Sequence, residues 1–124
     1  YIDAPVLDIR SWPGGLGRGV GSAYEWKDCL DVYGLDEEKI KSFCENPVDK
    51  AEALAAAKIP VMLVAGDADP VVPYDENGKI FDEKYRALGG TIKTILKAGV
   101  AHHPHSLSDP SEIVEFILEQ TGRK

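Results

Sequence analysis

The run Lys58-Ile59-Pro60-Val61-Met62-Leu63-Val64-Ala65-Gly66-Asp67-Ala68-Asp69-Pro70-Val71-Val72-Pro73, with its continuation Gly89-Gly90-Thr91-Ile92-Lys93-Thr94-Ile95-Leu96-Lys97-Ala98-Gly99-Val100-Ala101-His102-His103-Pro104-His105, decides the fold of this chain. Ile59 to Ala65 is a short apolar segment rich in β-branched residues and closed by Gly66, the pattern of a strand buried on both faces and therefore parallel to its neighbours. Tyr74 to about Leu88 reads as a helix stopped by Gly89-Gly90, and Thr91 to Leu96 as a second strand. A strand, helix, strand crossover is right-handed and returns the chain parallel to its start, so both strands end at one edge of the sheet. Ligands of open α/β sheets gather at that edge. Asp69 follows the first strand and His102 the second, and neighbouring strands about 4.8 Å apart bring a carboxylate and an imidazole within hydrogen-bond reach.

Gly66-Asp67-Ala68-Asp69-Pro70-Val71-Val72-Pro73 resembles the G-x-x-D-x-x-V-P segment that carries the acid of α/β-hydrolases, and Gly99-Val100-Ala101-His102 resembles their G-x-x-H loop. The resemblance covers the second half of a family domain and is densest between Lys58 and His105. It implies the carboxyl-terminal part of an α/β-hydrolase, a parallel sheet flanked by helices, with Asp69 as triad acid and His102 as triad base. Family members are serine esterases, lipases and peptidases whose triad runs Ser, Asp, His along the chain. The family pattern selects Asp69, whereas spacing alone leaves Asp67 open. Similarity of the Gly99–His105 stretch to bacterial esterases of polysaccharide systems implies a carboxylic ester carried by a carbohydrate.

No G-x-S-x-G occurs, and the serines at 11, 22, 42, 106, 108 and 111 lack the strand, sharp turn and helix that expose a nucleophile. The expectation is a domain part, residues 1–124, whose nucleophile and oxyanion donors lie upstream of residue 1 or on another chain. Alone it should be inert as a serine hydrolase. The competing readings are a serine peptidase of the same fold and a non-catalytic or metal-binding interaction module. His102-His103-x-His105 with Asp67 or Asp69 is the candidate metal cluster. Neighbouring loop histidines need not point the same way, however, and no H-x-x-x-H pair lies on a helix, so no metal and no cofactor are expected.

The remaining chain reads as support. Val6-Leu7-Asp8-Ile9 has the composition of a third parallel strand. Glycines at 14, 15, 17, 19 and 21 make a loop that fails the context of a dinucleotide fingerprint. Ala23 to Gly34, Asp36 to Cys44, and Asn46-Pro47 to about Ala57 read as three helices, so that residues 16–57 form a loop and small helical cap. By resemblance, Tyr24, Trp26 and Tyr33 contact substrate there; as ordinary aromatics they are core of the cap. Asp109-Pro110-Ser111-Glu112 through Gln120 reads as a final helix, with Gly122 as its stop and Arg123-Lys124 beyond.

Cys29 and Cys44 suit buried free thiols, since two cysteines without C-x-x-C spacing make neither a disulfide scaffold nor a zinc site. With 21 acidic and 14 basic residues the formal charge is −7, which argues against nucleic acid and anionic membranes as partners. No apolar run reaches the length of a membrane-spanning helix. Compartment is left open.

Overall fold

β2 (Val61–Gly66) is the centre of the protein, and all six of its residues are buried. In the computed structural model, which describes residues 1–123, it pairs in parallel on one side with β1 (Ile2–Asp3) and on the other with β3 (Ile92–Lys97), giving a three-stranded sheet in the order β1-β2-β3. Alternate side chains of a strand face opposite ways, so β2 feeds two cores. Val61, Leu63 and Ala65 join Leu7, Val48, Ala51, Phe81, Tyr85 and Ile92 on one face. Met62 and Val64 meet Ile113 and Phe116 on the other. Met62, Leu63 and Val64 are wholly buried, and each contributes about 1.5–3 kcal/mol through area removed from water. The protein is therefore an α/β fold with helices on both faces of a parallel sheet.

The first face is covered by α3 (Gly78–Ala87), whose buried residues Gly78, Phe81, Asp82 and Tyr85 recur at helical spacing. Phe81 and Tyr85 stack at 5.2 Å between ring centroids, and the Tyr85 hydroxyl donates to the Ile59 carbonyl. α2 (Ala51–Ala56) completes this layer through the fully buried Ala51. α4 (Ser111–Gln120) covers the second face with Ile113 and Phe116, and Gly122 at φ +65° ends the chain's helical path as expected. Lys124 lies outside the described residues.

Three expectations are corrected. The first strand is Ile2–Asp3, not the stretch around Val6-Leu7-Asp8-Ile9. Residues 7–9 pair with asparagine side chains instead of a neighbouring strand: Asn77 Oδ1 accepts from the Leu7 and Asp8 amides, and Asn46 Oδ1 from Ile9. The expected 74–88 helix is broken at Asn77 into a single 3-10 turn, Tyr74–Glu76, and α3. Its side chain bridges to the 7–11 loop, also donating to Ser11 Oγ and the Pro73 carbonyl, while its backbone sits at φ −128°, ψ −88°. The cap helices are shorter than expected. α1 (Ala23–Tyr33) forms, Asp36 accepts from the Glu38 and Lys39 amides to start only a 3-10 turn at Lys39–Ser42, and Asn46 and Asp49 make a reciprocal capping box ahead of α2.

Asn77 is 1% exposed, so its replacement by alanine leaves the Leu7 and Asp8 amides without partners inside the protein and removes one of the two bonds of the Ser11 hydroxyl. Losing these bonds is expected to cost about 2–4 kcal/mol. The check is the midpoint of urea unfolding for Asn77→Ala, and an unchanged midpoint would refute the bridging role.

Candidate functional site

The turn after β2 and the loop after β3 are stitched together by backbone. Asp67 N–H donates to the Lys97 carbonyl at 3.1 Å and Ala68 N–H to the Val100 carbonyl at 3.0 Å. Such close approach needs a residue without a side chain at the end of β2. A Cβ on Gly66 would lie 2.1 Å from the Val100 oxygen and 2.6 Å from the Ala101 oxygen. The two candidate acids then separate. Asp67 is exposed and its Oδ1 accepts from the Gly99 amide at 2.6 Å, fixing the start of the histidine loop. Asp69 turns inward.

The Asp69 side chain is 1% exposed, and it is not left alone in the interior. Its Oδ1 accepts from the Val71 and Val72 amides at 2.8 and 2.9 Å, a local turn that the aspartate side chain itself makes possible. Its Oδ2 lies 2.8 Å from Nδ1 of His102. A carboxylate only accepts, so the imidazole proton sits on Nδ1 and is donated to Asp69, which leaves the Nε2 lone pair free. Sequence reading thus named the two residues that the fold brings together.

The loop carrying His102 is held from both neighbouring strands. Lys97, the last residue of β3, donates through Nζ to the carbonyls of Pro104 at 2.7 Å and Ser106 at 2.8 Å. From β1, Asp3 Oδ2 accepts from the Ser106 amide at 2.8 Å, and the Tyr1 hydroxyl donates to Ser106 Oγ at 2.8 Å. These clamps use residues far apart in sequence. They also bring His103 and His105 against His102, with ring centroids 4.3 to 5.1 Å apart and the rings nearly perpendicular. One ring nitrogen from each of the three lies within 4.8 Å of the others. The clamp at Asp3 was not legible beforehand, and the convergence of the histidines was weighed from sequence and set aside.

A hollow of about 300 Å³ opens beside the pair, lined by Asp3, Trp12, Val71, Val72, His102 and His105 among others. A larger apolar groove, about 630 Å³, lies instead on the sheet face that α2 and α3 cover, lined by Tyr1, Ile2, Leu54, Ile59, Val61 and Phe81 among others. It contains no acid–base pair.

Among the described residues the one hydrogen bond made by the His102 ring is that to Asp69. The hydroxyls of Ser11, Ser22, Ser42, Ser106 and Ser111 are engaged with Glu76, Glu25, the Lys39 carbonyl, Tyr1 and Asp109 respectively. Both cysteines are free thiols, but neither is buried as expected: Cys29 is half-buried, and Cys44 is exposed and outside any helix. Burial pushes the Cys29 thiol above its ordinary value, which disfavours the thiolate a nucleophile needs. In α1 no residue is buried, and Tyr24 and Tyr33 stand 74% and 58% exposed. They are not core residues of a cap.

Comparisons with protein-family models, with curated proteins and with solved structures gave no match to this chain. Among the described residues no helix is long and apolar enough to cross a membrane.

Proposed function

We propose that this chain supplies the acid and the base of a Ser-His-Asp triad in an α/β-hydrolase that cleaves carboxylic esters. The observation that carries the reading is the buried Asp69 carboxylate, fixed by two backbone amides, 2.8 Å from Nδ1 of a half-buried His102 whose Nε2 is free. In that role His102 takes the proton of an attacking serine and passes it to the leaving alkoxide, while Asp69 holds the tautomer and stabilises the imidazolium. Parallel strands whose loops carry the pair at one edge of the sheet also support it.

The serine comes from outside these residues, on a segment packed against the free side of β1. The position of β1 at the edge of the sheet suits such a neighbour, because an unpaired edge strand is a surface proteins normally cover. The ester is carried by a carbohydrate in this reading, with Trp12 offering an aromatic wall to a sugar face in the hollow beside His102.

The test is covalent labelling of the complete protein with a fluorophosphonate, which phosphonylates only an activated serine. A label is expected on a serine outside residues 1–124, formed about a thousandfold more slowly in the Asp69→Asn variant. Labelling of one of the six serines in this chain, or no labelling of a folded protein, would reject the reading.

A further inference from the structure

We propose that His102, His103 and His105 form a binding site for a divalent late first-row transition ion, with Zn²⁺ the probe of choice. The metal site itself stands on the histidine geometry alone; only its consequence for catalysis rests on the triad reading.

Three ring nitrogens already lie within 4.8 Å of one another, on one short loop. Around zinc, tetrahedral nitrogen ligands at 2.0–2.1 Å are roughly 3.3 Å apart, so the cluster must close by about 1.5 Å. Rotation about side-chain bonds can supply this, since His103 is exposed and the His105 side chain is 47% exposed. The loop backbone need not move, being held by the two Lys97 bonds and by Asp3.

More telling is what stands behind the rings. His102 Nδ1 faces Asp69 Oδ2 at 2.8 Å, and His105 Nδ1 faces Asp3 Oδ2 at 3.3 Å. A carboxylate hydrogen-bonded at Nδ1 fixes the tautomer of His102 and leaves its Nε2 as the ligand atom, and His105 has a second carboxylate close to its Nδ1. The second oxygen of Asp3 is buried with no hydrogen-bond partner among the described residues, the first being shared between the Ser106 amide and the His105 ring. Imidazole ligands select zinc, nickel or copper over magnesium and calcium, and the open side of the cluster leaves a fourth position for water.

The ion and the triad compete for one atom. A cation on His102 Nε2 occupies the lone pair that accepts the serine proton, so zinc acts as a reversible inhibitor of the hydrolase, released by a chelator. No bond of the substrate is touched in this step.

The deciding experiment is calorimetric titration of Zn²⁺ into the complete, metal-stripped protein. Saturation at one ion for this site is expected, with that saturable step lost in His103→Ala and in His105→Ala, and weakened about tenfold to a hundredfold in Asp3→Asn. Nitrogen NMR of the histidine rings should show zinc shifting Nε2 of His102 while Nδ1 keeps its proton. The proposal fails if there is no saturable binding, if both alanine variants bind as the parent does, or if His102 Nε2 is unmoved by zinc. These outcomes are read without any ester turnover, so the metal site and the triad stand or fall separately.

Discussion

Replacing Asp69 by asparagine in the complete protein is expected to lower kcat for ester hydrolysis by about 10⁴-fold with the fold intact. The reason lies in which oxygen does what. Oδ1 accepts from the Val71 and Val72 amides, so an asparagine places its carbonyl oxygen there and turns its NH₂ toward His102. A donor facing Nδ1 forces the ring proton onto Nε2, and the ring then has no lone pair for the serine. His102→Ala should remove nearly all turnover as well. Because the two residues act as one unit, the double variant should be little worse than His102→Ala alone. Steady-state kinetics on a chromogenic ester, with circular dichroism as the control for folding, measures all three. Near-normal hydrolysis by either single variant would end the triad reading.

Gly66→Ala carries the second large effect, and it reaches the site without touching any polar group in it. The new Cβ would collide with the carbonyl oxygens of Val100 and Ala101, the two residues before His102. Both colliding atoms are backbone, so the histidine loop must move away from β2 as a body. Displacement by about 1 Å costs on the order of 10²-fold in rate, and overpacking of this kind about 1–3 kcal/mol of stability. The loss should fall on kcat, with the urea midpoint lowered in parallel. An alanine variant with both values unchanged would mean that the close approach of the two loops is not required.

The crossover was readable from sequence because its signals are local. Six consecutive buried residues in β2 and a glycine that ends the run identify a central strand, and the paired glycines before β3 mark where the helix stops. The contact between Asp69 and His102 was readable for the same reason, since each follows a strand whose end is marked. What was missed depends on residues far apart in the chain. Val6 to Ile9 has better strand composition than Ile2–Asp3, yet Asn77 and Asn46 claim its amides from 37 to 70 positions away. The convergence of three histidines depends on Lys97 and Asp3, neither of which announces itself as a clamp. The cap stretch misled because helical periodicity gives an apolar face even to a helix such as α1 that buries nothing.

That bare helix has an evolutionary side. The acid, the base and the backbone stitches between their loops all lie between Asp67 and His102, inside one crossover. Residues 22–35 lie outside it and contribute no buried side chain, and a surface connection that lengthens adds only slowly to the entropy of closing it. Descendants of this sequence are therefore free to rewrite, extend or shorten that stretch while inheriting the Asp69–His102 contact unchanged.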